Sequence, residues 1–194
     1  MTKIARSQRL TVLGFVICVL LIGYSMQDIF EDKPSGCPAD FENTDQGAQV
    51  FLMGTIGGVY SDPNRDCWRE YVVQPELDKL GVTYYNPVVE HWSEEKAREE
   101  AEAIANAETI VLVITQNHPS FGSLAESGWA VLSAIERNQT IIMFITKEQE
   151  NEDSLRARKI VLSQANTLNS QIDELIMVND LNQVVEELHL LYGE

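Results

Sequence analysis

One carboxylate stands among small and apolar residues in the stretch "SFGSLAESGWA" (120–130). It belongs to Glu126, which follows a run that is apolar on both faces, "TIVLVIT" (109–115), and opens a helical pattern reaching to about Arg137. Two chemistries suit it. Ser123-Leu-Ala-Glu126 fits the S-x-x-E capping box, in which serine and glutamate satisfy each other's backbone amides, and the helix dipole favours an acid in the first turn. The same placement holds an ionised carboxylate at a sheet edge, as a nucleophile requires. Position alone does not choose between them.

A second stretch with chemical potential is "GTIGGVYSDPNRDCW" (54–68). Gly54, Gly57 and Gly58 let the backbone approach a ligand closely, where exposed amides can hold a phosphate or a sugar hydroxyl. The alternative is a turn that needs positive backbone angles. Neither the Walker pattern nor G-x-G-x-x-G occurs, so an ordinary NTPase or dinucleotide site lacks its signature. Asp62 and Asp66 are further acids, available if this loop folds inward. His118, between the third strand and Glu126, is either an exposed loop residue or a titrating group beside the carboxylate.

The elements that must position these residues alternate. Strand patterns cover 48–55, 82–88, 109–115, 140–146 and 174–179. Helical patterns cover 68–81 (interrupted by Pro75 and closed by Gly81), 93–107 (capped by Ser93), the segment from Glu126's stretch to Arg137, 152–168 and 181–193. Continuous apolar strands alternating with helices predict a parallel sheet covered on both sides. The expected fold is α/β, a flavodoxin-like doubly wound five-stranded parallel sheet of order 2-1-3-4-5. In such sheets ligands bind beyond the carboxyl ends of the strands, at the switch point between strands one and three. The two stretches above are the connections that leave those strand ends. Trp129 is expected to pack against a strand or neighbouring helix, Glu90 to lie at the surface, and the acidic run Glu94–Glu102 to form a solvated helix face.

The chain of 194 residues carries 14 basic and 30 acidic residues, a net charge of −16, which repels phosphate backbones and argues against nucleic acid as a partner. From Leu10 to Gln27, "LTVLGFVICVLLIGYSMQ" has no charged residue. Its length suits a membrane-crossing helix. Lys3, Arg6 and Arg9 precede it and acidic residues follow, so the positive-inside rule places the N-terminus in the cytoplasm and the remainder outside. An uncleaved single-pass signal anchor over 1–27 is expected in preference to a cleaved signal peptide, since no A-x-A site is present. An acidic linker over 28–47 and one domain over 48–194 complete the organisation. Cys37 and Cys67 fall in the exported portion, either as a disulfide or as two free thiols. They lack the clustering with histidine that a zinc site requires.

Five segments in order, "VFLMGTIGG", "DCWRE", "NPVVEHW", "ANAETIVLVIT" and "GSLAESGWA", resemble the nucleoside 2-deoxyribosyltransferase-like family over roughly residues 49–145. The most telling is G-[ST]-x-x-E-x-G-x-A, here Gly122, Ser123, Glu126, Gly128 and Ala130. The resemblance implies a small-molecule nucleoside or nucleotide as substrate, cleavage or transfer of its N-glycosidic bond, and no metal or organic cofactor. It implies Glu126 as nucleophile, with Gly54 and Thr55 lining the sugar pocket, Asn86 and Pro87 shaping the base side, and Trp68 and Trp92 packed nearby. Members commonly associate, so a homo-oligomer is also expected. The chain departs from the pattern in two places: Ser120 stands where members carry an aspartate that assists the departing base, and Glu108 replaces an aspartate at the opening of the third strand. His118 is then a candidate for base protonation. Ser120 also leaves open a second class of protein, a nucleoside or nucleotide sensor that binds without turnover.

Overall fold

The computed structural model describes residues 37, 47–56, 66–89 and 91–193, all within one compact unit, Gly36–Glu194. Five strands form one parallel sheet: β1 (Val50–Gly54), β2 (Tyr84–Tyr85), β3 (Thr109–Ile114), β4 (Thr140–Ile145) and β5 (Leu175–Val178). Their order is β2-β1-β3-β4-β5, as expected of the flavodoxin-like pattern. A π-helical turn (Arg69–Val73) runs into α1 (Gln74–Leu80), followed along the chain by α2 (Glu94–Asn106), α3 (Phe121–Glu136), α4 (Glu152–Asn169) and α5 (Leu181–Tyr192).

Every residue of β1 and β3 is buried, which is why neither shows an apolar–polar alternation. Alternate side chains instead feed two cores. Phe51, Met53, Ile110, Leu112 and Met143 pack with Ile104 of α2, Leu124 and Val131 of α3, and Leu162 of α4. Val50, Leu52, Val111, Val113 and Ile142 pack on the opposite face with Leu77 of α1 and with Val184 and Leu188 of α5. β1 and β3 are neighbours in register, Val50 opposite Thr109 through Gly54 opposite Val113. Their helices leave toward opposite faces, and a crevice opens where they part.

Several local expectations change. β2 pairs only through Tyr84 and Tyr85, shorter than the expected 82–88, because Pro87 has no amide to donate and Asn86 Oδ1 takes the Val88 amide into a turn. Pro75 does not interrupt a helix. It lies in the first turn of α1, where a missing amide costs nothing, and the π turn before it absorbs the change of geometry. Gly81 closes α1 in the left-handed conformation, as anticipated. Trp129 is half exposed rather than packed. Cys37, inside the segment expected to be linker, is disulfide-bonded to Cys67.

The expected anchor over 1–27 and all of the expected linker except Cys37 and Gly47 lie outside the described residues, as do Gly57, Gly58, Asp62 and Glu90. Among the described residues no helix is long and apolar enough to cross a membrane.

Gly54 ends β1 at φ +130°, and a Cβ there would fall inside the Val113 carbonyl of the neighbouring strand. Both the backbone angle and the strand spacing exclude a side chain. Gly54→Ala is expected to cost about 3 kcal/mol or more, measured as a fall in the urea midpoint with an unchanged slope.

Candidate active site

The crevice beyond β1 and β3 holds a cleft of about 490 Å³. Gly54, Thr55 and Ile56 supply its floor from the end of β1, and Arg69 joins them from the π turn. Pro87, Val88, Val89 and Trp92 form an apolar wall after β2. Ser120, Gly122, Ser123 and Glu126 come from the start of α3, and Glu100 reaches in from α2.

The floor is held from below. Arg69 is 1 % exposed and donates through Nε to the Leu52 carbonyl (3.1 Å), through Nη1 to Thr55 (2.8 Å) and through Nη2 to Gly54 (3.1 Å). Its guanidinium lies 4.2 Å from the centre of the Trp68 ring, and Trp68 Nε1 donates to the Thr55 carbonyl at 2.9 Å. Trp68 is thus a buried support and not part of the lining. Asp66 is likewise buried: it accepts hydrogen bonds from Thr115 Oγ1 and Asn117 Nδ2, tying the segment before the π turn to the end of β3. Asn86, also buried, braces the turn that presents Pro87 and Val88.

The opening of α3 differs from the capping box. The helix starts at Phe121, and Ser120 is its N-cap in the left-handed conformation (φ 54°, ψ 38°) with no side-chain cap bond. Ser123 therefore sits in the first turn and Glu126 in the second, past the amides that a capping glutamate serves. Glu126 accepts no hydrogen bond from another described residue and lines the cleft instead. The Ser120 hydroxyl is engaged elsewhere, 2.8 Å from Thr55 Oγ1 and 3.2 Å from the His118 carbonyl. The His118 carbonyl accepts from Ser120, and His118 is not among the residues that line the cleft.

Of the residues expected from sequence, Gly54, Thr55, Pro87, Trp92, Ser120, Gly122, Ser123 and Glu126 share one cleft, whereas Trp68, Asn86 and His118 do not line it. Two ionisable lining residues were not anticipated, Arg69 and Glu100, nor were the apolar Met53, Ile56, Val88 and Val89. Glu100 belongs to the acidic run expected to be solvated. It lies three and four residues before Ala103 and Ile104, both buried, so it shares their inward face. That spacing was the available signal.

Burial pushes the Glu100 carboxyl above its ordinary value, the charge of Glu126 pushes it further the same way, and Arg69 offsets part of the rise. Burial, followed by the charges of Glu100 and Glu99, also pushes the Tyr85 hydroxyl up to about 12. The cleft thus pairs two carboxyl groups, one of which is biased toward its protonated form; such a pairing divides acid from nucleophile in glycosidic chemistry. Among the described residues no group of three His, Cys, Asp or Glu side chains is placed to hold a metal ion. A second groove of about 620 Å³, between α3 and α4, is walled by Leu124, Val131, Met143, Val161 and Leu168. No ionisable side chain lines it, so it lacks the groups for acid–base or nucleophilic chemistry.

Two outcomes follow for the Glu100 carboxyl. Its folded form keeps the proton to higher pH than the unfolded chain, whose value is the ordinary 4.5. Stability present below pH 4.5 is therefore lost as pH rises through the raised value. Glu100→Gln is expected to be more stable than the parent at pH 7, with the advantage disappearing below the ordinary carboxyl range, as read from urea unfolding at both pH values. In Glu126→Gln the Glu100 pKa is expected to fall yet stay above 4.5, since burial is the larger cause; carboxyl-carbon NMR titration measures it.

The family model described as "Nucleoside 2-deoxyribosyltransferase like" matches residues 47–148. No curated protein matches the chain. The match begins just before β1, ends just after β4 and contains every residue named above as lining the cleft. It covers 102 of 194 residues (47 through 148), and the chain belongs to the nucleoside 2-deoxyribosyltransferase-like family.

Proposed function

We propose that the protein cleaves or transfers the N-glycosidic bond of a nucleoside or nucleotide, with Glu126 as nucleophile and Glu100 as the acid that serves the departing base. The observation that carries this reading is the pair of carboxyl groups in one cleft, with the Glu100 pKa raised by burial and by Glu126 itself.

In the first step a Glu126 oxygen bonds to the anomeric carbon as the carbon–nitrogen bond breaks. The bonding pair leaves with the base, and the Glu100 proton goes to a base nitrogen. A glycosyl ester on Glu126 results. In the second step water or another base attacks the same carbon, Glu100 accepts the proton of the incoming group, and Glu126 departs as carboxylate. Ser120 does not deprive the cleft of an acid, because Glu100 is present in it. Pro87, Val88, Val89 and Trp92 offer an apolar surface on which a heterocyclic base can stack.

The domain is proposed to act outside the cytoplasm, carried by an anchor at Leu10–Gln27. Support comes from the flanking Lys3, Arg6 and Arg9 and from the Cys37–Cys67 disulfide, a bond that persists in oxidising compartments.

The test is intact-mass spectrometry of the full chain in mild detergent with a panel of nucleosides and nucleotides, following free base in the same samples. The wild type is expected to release base, and Glu126→Gln to lose at least about a thousandfold in rate. Base release should decline as pH rises through the Glu100 pKa, and Glu100→Gln should abolish that limb of the profile. A second reading, the sensor, is favoured by Ser120 in place of the family's aspartate. Binding of a nucleoside by the wild type with no base released would establish it and remove the enzyme reading.

A further inference from the structure

Arg158, on α4, lies beyond the stretch that the family model matches. Its side chain is fully buried, and among the described residues it has no carboxylate partner. Isolating a guanidinium from water without a counterion is costly, and burial holds its pKa below the usual range. A leucine or methionine would fill the same space without that cost. The hydrogen bonds of Arg158 show what its charge does instead.

Nη2 donates to the carbonyls of Thr115 (2.8 Å) and His118 (2.7 Å). Nη1 reaches the carbonyls of Thr146 (3.3 Å) and Ile114 (3.5 Å), and Nε donates to Ser154 Oγ (3.1 Å). Ser154 Oγ in turn donates to the Pro119 carbonyl at 2.6 Å. Arg158 and Ser154 thus hold from behind the carbonyls of the connection that leads from β3 into Ser120.

The hydroxyls in front have only one direction that satisfies all of them. The Thr115 amide donates to Thr55 Oγ1 (3.2 Å), and Ser120 Oγ donates to the His118 carbonyl (3.2 Å). The 2.8 Å contact between Thr55 and Ser120 then carries the Thr55 proton to Ser120. Ser120 Oγ has given its single proton to His118, so any lone pair it turns to the cleft is an acceptor. Arg158 and Ser120 donate to the same carbonyl, that of His118.

We propose that Arg158 is a positioning residue for the cleft: by holding the Thr115 and His118 carbonyls it keeps Ser120 in its left-handed conformation, with Oγ presented as a neutral acceptor for a hydroxyl or N–H donor on the ligand. The kinetic part of this inference rests on the reading of the cleft as an N-glycosidic site; the structural part does not. A charged guanidinium serves because it supplies several donors in a rigid plane to carbonyls from separate elements, which the single ammonium of lysine cannot match.

The experiment uses the full chain and the variants Ser120→Ala, Arg158→Lys and their double, with two readouts. In hydrogen exchange, Arg158→Lys is expected to speed the Thr115 amide, which donates to Thr55, and the Leu124 amide, which donates to the Ser120 carbonyl, by about tenfold or more, with β4 and β5 amides unchanged. Equal exchange at Thr115 and Leu124 in parent and variant overturns the proposal. In base release, each single variant is expected to lower kcat/KM about tenfold, mostly through KM, and the double to lose little more than either alone, because both act through one atom. Additive losses of about a hundredfold would show that Arg158 acts independently of Ser120 and overturn the proposal. If the wild type releases no base, the enzyme reading fails, while the exchange measurement still decides the role of Arg158. Should Arg158→Lys not fold, Ser154→Ala, which releases both the Arg158 Nε bond and the Pro119 carbonyl, carries the same exchange expectation, and unchanged rates there overturn it.

Discussion

Three carbonyls at the end of β1, those of Leu52, Gly54 and Thr55, converge on the buried guanidinium of Arg69. A parallel strand that stops beside a ligand site leaves carbonyls without a ladder partner, and water cannot serve them when they face the core. Here the π turn brings Arg69 beneath them, with Trp68 stacked on it and bonded to Thr55. The groups that satisfy these carbonyls belong to a separate, packed element, which holds the floor of the cleft in place. Glycine at position 54 is the other half of this arrangement: without it β1 and β3 could not remain in register up to the crevice.

The electrostatics of the cleft depend on that floor. Arg69 is the cation that moderates the rise at Glu100, while three of its N–H groups hold the backbone carbonyls of the floor. Burial therefore remains the largest influence on Glu100. The division of labour between the two glutamates arises from their elements: Glu126 projects from the second turn of α3 at the rim of the switch point, and Glu100 from the inward face of α2.

The sheet order and the location of the crevice were legible in the sequence because β1, β3 and β4 are unbroken apolar runs with glycine or threonine at their ends. Glu126 was legible through its surrounding motif. What escaped has identifiable causes. The S-x-x-E spacing at Ser123 matches a cap, but the connection turns left-handed at Ser120 and starts the helix three residues before Ser123 would have capped it. Glu100 sits among so many acids that charge alone hid it, although its phase with Ala103 and Ile104 placed it inward. Trp129, an aromatic expected to pack, remains half exposed on α3. Arg158 reads locally as one more charged residue on an amphipathic helix; its importance comes from carbonyls contributed by β3, the residue after β4 and the loop after β3, a coincidence of three dimensions that no spacing along the chain encodes.

The Cys37–Cys67 bond has a mechanical consequence. A force applied to the chain before Cys37 and resisted by the folded domain passes through the sulfur bridge to Cys67, because that covalent path bypasses the 29 residues between the two cysteines. Those residues include β1 and Thr55. Tension on the N-terminal side thus enters the domain at the residue before Trp68, where the π turn and α1 behind it can bear the load, and the strand that forms the floor of the cleft is left out of the line of pull.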